Sequence, residues 1–245
     1  MAKLSEDLQQ LARGERVYCL NCGALNETGR AECENCQFPL EKPAPLYVNL
    51  IQTVIKPMRA MARIAATVPV IQAVFVVLLV AAISMLIYVS SVLFQLQYYF
   101  EDFSRITPTL RDFFLKNPAP DFGFNYFLTT LFFTFIPWLA FTIAVFYVAR
   151  LFFRNDARTN FAALLSITGF ARIVQIATVV FLLFPFNPDD TIRAIESGLS
   201  IAILAWQIAL ITIGVRISTG LSWNRASLVT VIPALLFQFL LGLPI

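Results

Sequence analysis

The chain has 245 residues, of which 58% are hydrophobic and only 13% are charged, and its net charge is +3. Soluble globular domains carry about 25% charged residues, so this composition excludes an ordinary soluble domain and indicates a membrane protein. The chain contains no histidine, so any metal that it binds through nitrogen or sulfur ligands must be held by cysteine alone.

All four cysteines of the chain fall into two CxxC pairs, Cys19 with Cys22 and Cys33 with Cys36. A CxxC pair places two thiolates on one tight turn, and two such knuckles form a tetrahedral site for one structural zinc ion. Gly23 follows the first pair, where a knuckle usually needs a positive φ, and Gln37 occupies that place in the second. We therefore predict a zinc ribbon in residues 1–40 with the four cysteines as ligands.

Other uses of the cysteines fit the sequence less well. Two disulfide bonds would need an oxidising compartment, and a thioredoxin-like redox pair would need a βαβ context that these polar surroundings do not supply. A catalytic zinc usually has three protein ligands and an open position, whereas this cluster offers four thiolates. Residues 1–40 carry four basic and six acidic side chains, which argues against a ribbon that binds nucleic acid.

Residues 41–68 are predicted to form a linker and amphipathic juxtamembrane helices. One face of this segment is apolar and the other polar and mainly basic: Ile51, Val54, Ile55, Met58 and Met61 against Gln52, Lys56, Arg59 and Arg63. Pro57 interrupts the pattern, so two short helices are expected rather than one. Such helices lie on the cytosolic leaflet, either as an elbow that orients the first span or as a lipid sensor.

Residues 69–245 contain five apolar stretches separated by loops that carry charges or proline: about 70–95, 126–149, 161–186, 197–215 and 226–244. Stretches of this length cross a bilayer as helices. The predicted fold class is therefore an all-α polytopic membrane protein with five transmembrane helices and a small N-terminal zinc ribbon.

The loops on the two sides of the predicted spans differ in basic residues. One side has eight, namely Lys56, Arg59, Arg63, Arg150, Arg154, Arg158, Arg216 and Arg225. The other has four, namely Arg105, Arg111, Lys116 and Arg193, and also nearly all of the acidic loop residues. The positive-inside rule then places the N-terminus and the cysteines in the cytosol and the C-terminus on the opposite side. Residues 1–16 are polar and do not resemble a signal peptide.

Arg172 is the one charged residue inside a predicted span. With Gln175 nearby and Gln207 and Gln238 at similar depths, it can form a polar cluster that holds an anionic headgroup or a solute. The interpretation that we favour is plainer. The third stretch is about 39 Å long as a helix, so Arg172 can reach the cytosolic interface by snorkelling, and the glutamines are interhelical hydrogen-bond partners.

No signature of an enzyme is present. The sequence lacks a nucleophile elbow, a Walker loop and any pair of carboxylates within a span. Five unequal spans also do not suggest the internal repeats of secondary transporters. We therefore predict that the protein is not an enzyme.

Over roughly residues 50–243 the sequence resembles the prokaryotic branch of the Yip family, the Ypt-interacting-protein-like membrane proteins. The resemblance rests on three segments: VIKPMRAMARI, LLSITGFARIVQIATVVFLLF and AWQIALITIGVRISTGLSWNRASLVTVIPALLFQFLL. Its family-like residues in the last segment are Trp206, Gly214, Gly220, Ser222, Ala226 and Pro233. Here Arg172-Ile173-Val174 replaces a proline region of the family, and the Asp-Leu-Tyr-Gly-Pro signature of eukaryotic members is absent.

The resemblance implies an integral membrane protein with a cytosolic N-terminal region and five spans. Eukaryotic members act in vesicle traffic and bind prenylated Rab GTPases, an activity whose signature is missing here. The leading hypothesis is a scaffold or adaptor with membrane lipids and a cytosolic protein as its partners, the latter bound by the ribbon. The alternative is a transporter, channel or lipid-handling protein that uses the polar site around Arg172.

Overall fold

A computed structural model describes residues 16–19, 22, 24–103, 120–153, 160–183 and 190–237. These residues form a two-stranded sheet, seven α-helices and one 3-10 helix. The strands are β1 (Arg16–Tyr18) and β2 (Leu25–Glu27). The α-helices are α1 (Leu46–Ile55), α2 (Pro57–Thr67), α3 (Val70–Phe103), α4 (Pro120–Phe152), α5 (Phe161–Ala171), α6 (Asp190–Thr219) and α7 (Trp223–Leu235), and the 3-10 helix is Arg172–Leu183.

The ribbon begins with an antiparallel hairpin in which Val17 of β1 pairs with Asn26 of β2. β1 packs against α2, so the ribbon is in contact with the helical part of the chain. The linker is fixed at the same end, because the carbonyl oxygen of Ala44 accepts hydrogen bonds from Asn49 on α1 and Gln72 on α3. The ribbon is therefore attached to the helices by packing and by hydrogen bonds.

The two short helices that the sequence predicts around Pro57 are confirmed. α1 ends at Ile55, and Pro57 is the first residue of α2, where its missing N–H costs nothing. α2 ends at Thr67 and is followed by Val68, a buried residue with φ of 47°, and by Pro69. A β-branched residue rarely adopts a left-handed backbone conformation, so Val68 is strained. The packing around the turn between α2 and α3 must maintain this conformation.

The predicted polarity of α2 is partly wrong. Met61, expected on a lipid-facing stripe, is fully buried, and Arg63, expected on the exposed basic face, is also buried. The reason is that α2 does not lie on the outside of the helices but packs against α5 and α6 on one side and β1 on another. Met61, Ile64 and Ala65 belong to the hydrophobic core.

The hydrophobic core lies between α2 and the longer helices. α5 and the 3-10 helix contact both α3 and α6, and α4 packs against α3, α5 and α7. Two glycines allow close approach: a Cβ on Gly169 would lie 2.9 Å from Cβ of Ala73, and one on Gly214 would lie 2.2 Å from Cγ2 of Ile167. The close contacts of α5 with α3 and with α6 therefore require glycine at these two positions, because any side chain there would clash.

Two described stretches, Thr134–Phe152 and Ser197–Thr219, are long and apolar enough to cross a membrane by length and composition. They overlap the second and fourth predicted spans. Val70–Leu86 and Phe161–Ala177 are shorter apolar stretches, and the fifth predicted span continues beyond the described residues. Five spans therefore remain a prediction, while a mostly helical chain with two membrane-competent helices is observed.

Two boundaries differ from the predictions. The loop between the first two predicted spans, about 70–95 and 126–149, is shorter than expected, because α3 continues to Phe103 and α4 begins at Pro120. The third apolar stretch is not one α-helix, since the α-helical part ends at Ala171 and a 3-10 helix of 12 residues begins at Arg172. Runs of 3-10 helix longer than 3–4 residues are uncommon, and within a helix they often mark strain or a functional hinge.

Candidate metal centre and buried polar site

The first cysteine of each CxxC pair makes the same type of backbone hydrogen bond. The amide of Cys19 donates to the carbonyl of Ala24, and the amide of Cys33 donates to the carbonyl of Phe38, each over 2.9 Å and five residues. Cys19 and Cys33, the first cysteine of each pair, are both buried. Gln37 has φ of 55°, so the second knuckle adopts the left-handed conformation for which glycine is usually chosen.

The hairpin and the second knuckle bring the four sulfur atoms together. All four Sγ atoms lie within 4.8 Å of one another, and Cys19–Cys36 and Cys22–Cys33 are each separated by 3.5 Å. A metal with four thiolates at about 2.3 Å in tetrahedral geometry needs sulfur atoms roughly 3.8 Å apart. None of the four cysteines forms a disulfide bond. The cluster therefore fits one metal ion with four sulfur ligands.

Asn26 connects the two knuckles and was not identified from the sequence. Its side chain is buried, its Nδ2 donates to the carbonyl of Ala24, and its Oδ1 accepts from the amide of Glu34 at 3.0 Å. Side chains that orient metal ligands in this way tune affinity as well as geometry. The position of Asn26, four residues after the first pair, gave no signal because it depends on the hairpin register.

The surroundings of Cys33 favour a thiolate. Burial raises the pKa of its thiol, but hydrogen bonds from the backbone of Asn35 and Cys36 and from the side chains of Cys22 and Asn26 outweigh this. Together they lower the pKa from 9.0 to about 6. Because the thiolate is the form that binds metal, the lowered pKa of Cys33 favours binding of a metal cation.

α1 has a reversed burial pattern. Its only fully buried residues are polar, Asn49 and Thr53, whereas its outer face consists of large hydrophobic residues that are 48–67% exposed: Tyr47, Ile51, Val54 and Ile55. In a soluble protein the apolar face of a helix turns inward. A helix with polar residues inside and apolar residues outside requires an apolar medium at its surface, as in the acyl region of a membrane.

Arg172, at the first position of the 3-10 helix, is enclosed by protein. Only 2% of its surface is exposed, and its Nη2 has no hydrogen-bond partner among the residues that the structure describes. The interpretation that Arg172 snorkels to the interface is therefore wrong, because the side chain is buried where α3 and α6 pack against the 3-10 helix.

Two of the three predicted glutamines lie together. Nε2 of Gln175 donates to Oε1 of Gln207 over 2.9 Å, which links the 3-10 helix to α6. The interpretation of these two residues as interhelical hydrogen-bond partners is confirmed. Gln238 lies outside the described residues.

A second buried polar chain joins α4 to α5. Nε1 of Trp138 donates to Oγ1 of Thr168 at 3.0 Å, and the hydroxyl of Thr142 lies 2.7 Å from the same oxygen. All three side chains are buried. The sequence gave no reason to connect them, since threonines are common in membrane helices and their partners depend on the helix packing.

Aromatic and basic side chains meet where α4 and α6 end and α7 begins. The guanidinium of Arg216 lies 4.5 Å from the ring centroid of Trp223, and that of Arg225 lies 5.4 Å from the ring of Phe153. Arg150 lies 5.9 Å from the ring of Phe146. We call this region, defined by Arg150, Arg216 and Arg225, the basic end. Aromatic rings beside cations are typical of membrane interfaces.

Comparison with protein families identifies the helical part. The family model of the Yip1 domain matches residues 51–243, which is most of the chain. The chain belongs to the Yip1 family. The predicted resemblance to the Yip family over 50–243 is thereby confirmed, whereas the prokaryotic branch stays a prediction, and members of this family are generally membrane proteins without enzymatic activity. No curated protein and no solved structure matches the chain.

The Yip1 domain begins within α1, so the ribbon precedes it in the chain. Several residues that carried the resemblance have structural roles within the domain. Gly214 permits the contact of α6 with Ile167, Gly220 has φ of 74° after the end of α6, and Ala226 is fully buried on α7. These positions maintain the packing of the Yip1 helices, and none of them contributes to the cysteine cluster.

Proposed function

We propose that this protein is a multi-pass Yip1-family membrane scaffold whose cytosolic ribbon recruits a protein partner. Three of the five proposed membrane passages are supported by helix length. α3, α4 and α6 have 34, 33 and 30 residues, about 45 Å or more each at 1.5 Å per residue, against a hydrocarbon core of roughly 30 Å. With the basic end toward the cytosol, the N-terminus is cytosolic and the C-terminus lies on the other side.

The ion that we propose for the ribbon is one structural zinc. Four thiolates in a closed tetrahedral arrangement suit zinc, and the absence of a vacant ligand position suits a structural rather than a catalytic role. Cys19, Cys22, Cys33 and Cys36 would each supply one sulfur. The metal would stabilise a domain of about 25 residues that has only a three-residue hairpin and little apolar core of its own.

The observation that carries the adaptor function is the attachment of the ribbon to the helices. β1 packs on α2, Glu41 lies 4.0 Å from the buried Arg63, and Ala44 is bonded to Asn49 and Gln72. A tag on a flexible tether would not need these contacts. A ribbon fixed to the membrane domain holds its bound partner at a defined distance from the bilayer, as an adaptor must.

The test is site-specific crosslinking from the ribbon in living cells. Phe38 is 40% exposed on the second knuckle, so a photocrosslinking amino acid at this position would contact a bound partner. We expect a defined protein adduct, and we expect it to disappear in Cys19→Ser, in which the ribbon loses a ligand. A matched control at Tyr47, on the apolar face of α1, should yield lipid adducts instead.

A deletion variant makes the test decisive. Removal of residues 1–45 should abolish binding of the partner and leave the Yip1 helices folded and in the membrane. Recovery of the same partners with and without these residues would contradict the adaptor function. Unchanged crosslinking in Cys19→Ser would show that the metal centre is dispensable for recruitment.

A transporter, channel or lipid-handling protein is the second candidate, and the unpartnered Nη2 of buried Arg172 is the observation in its favour. It predicts that Arg172→Leu abolishes flux or lipid transfer in liposomes while the protein stays folded. Equal rates of flux or lipid transfer for the wild type and Arg172→Leu would contradict this second candidate function.

A further inference from the structure

The charge of Arg172 has no counter-charge in the spanning part of the chain. The five apolar stretches contain no Asp or Glu, and the nearest acidic residues in sequence are Asp156 and Asp189, 16 and 17 positions away. A guanidinium stays protonated under physiological conditions. A buried cation without a paired anion is costly, so its retention at this site needs a specific explanation.

Arg172 also lies far from the basic end along the helix axis. α5 begins at Phe161, whose ring packs on Phe146 at 5.6 Å, and Phe146 in turn carries the guanidinium of Arg150 at the basic end. The 11 residues of α5 then place Arg172 about 16 Å further along the helix axis. This is about half the thickness of a roughly 30 Å hydrocarbon core.

Arg172 has a polar pair of glutamines nearby, and packed helices restrict its access to the cytosolic solution. The pair Gln175–Gln207 follows on the same 3-10 helix and on α6. Toward the basic end, α2 packs on α5 and α6 beneath the ribbon, with seven buried residues. Access from the cytosolic solution is therefore obstructed, whereas the outer surfaces of the helices face the lipid.

We propose that Arg172 binds a phosphate oxyanion within the helices, and that an anionic phospholipid supplies it. The planar guanidinium offers a fork of N–H donors that matches phosphate oxygens, and the unpaired Nη2 is such a donor. This site is independent of the adaptor function proposed for the ribbon, because it uses none of the same residues.

The test compares lipid binding by the full-length protein and its variants. The protein is purified in a neutral detergent and titrated with phosphatidylglycerol, phosphatidylcholine or inorganic phosphate, and binding is followed by native mass spectrometry and by the melting temperature. We expect one tightly held phosphatidylglycerol and an increase in melting temperature that phosphatidylcholine does not reproduce. Stabilisation by inorganic phosphate instead would support the oxyanion site and assign it to a soluble anion.

Variants at position 172 separate binding from folding. Arg172→Gln and Arg172→Met should weaken phosphatidylglycerol binding by about 10-fold or more, the effect of losing a charged hydrogen bond. Because a buried unpaired charge is removed, their melting temperatures without lipid should equal or exceed that of the wild type. Arg30→Gln, which removes an exposed arginine of the ribbon, is the control and should bind like the wild type.

Three results would overturn the proposal. One is equal retention of phosphatidylglycerol by the wild type and by Arg172→Gln. Another is an absence of stabilisation by both phosphatidylglycerol and inorganic phosphate. The third is a lower melting temperature or loss of folding in both Arg172→Gln and Arg172→Met in the absence of lipid, since Arg172 would then be satisfied by the protein itself.

Discussion

Gly214 provides the sharpest test of the helix packing. Replacement by alanine would put a Cβ atom 2.2 Å from Cγ2 of Ile167 and 3.2 Å from Cβ of the same residue. Ordinary contacts begin at 3.4 Å, so the closest pair must separate by 3.4 − 2.2 = 1.2 Å. Ile167 is β-branched and fully buried, so it cannot rotate away without clashing elsewhere.

We expect Gly214→Ala to lower the free energy of unfolding by about 1–3 kcal/mol, the usual cost of overpacking a core. The measurement is unfolding of the full-length protein in detergent micelles, followed by circular dichroism. Gly198→Ala is the matched control on the same helix, because no atom lies within 4 Å of the position that its new methyl group would take, and it should be neutral or slightly stabilising.

A double-mutant cycle with Ile167→Ala tests the cause. The smaller side chain removes the colliding atoms, so the double variant should be more stable than the sum of the single effects predicts, by about 1 kcal/mol or more. Two results would refute the reasoning. They are equal stability of Gly214→Ala and Gly198→Ala, and strict additivity in the cycle.

Three further predictions concern the ribbon and the α4–α5 contact. Gln37→Val should weaken metal binding in a chelator competition while Gln37→Gly retains it, because a φ of 55° is strained for a β-branched residue; equal affinities would contradict this. Metal content after dialysis should fall on acidification, since protons compete with the metal for the thiolates, and the metal-free ribbon should keep the Cys33 thiolate down to about pH 6 because its pKa is lowered; constant metal content in strong acid would be inconsistent with thiolate ligation. Trp138→Phe should cost about 1 kcal/mol through loss of its bond to Thr168, whereas the same change at the more exposed Trp206 should be nearly neutral.

Local sequence patterns were sufficient for several features. The CxxC spacing predicted a four-thiolate cluster, because the two residues between the cysteines of each pair fix a tight turn whatever surrounds it. Pro57 predicted the break between α1 and α2, since a proline cannot continue a helix but suits its first turn. The five apolar stretches and the basic loops predicted a membrane protein, and the family match agrees with this class.

The sequence could not reveal which groups meet across elements. Asn26 joins the two knuckles only because the β1–β2 register places it between Ala24 and Glu34. Met61 and Arg63 were assigned to outer faces by periodicity, but α2 packs against β1 on one side and α5 and α6 on another, and so both residues are buried.

Amino-acid composition and residue spacing by themselves determined the class of this protein, the position of its cysteine cluster and the ends of its first helices. Only the tertiary structure decided that Arg172 is enclosed rather than exposed at the membrane interface, and that the ribbon is fixed to the helices. The physical reason is that turns and hydrophobic periodicity are set by neighbours along the chain. The burial of a charge depends on which helices pack around it, and that packing is set by contacts between residues far apart in the sequence.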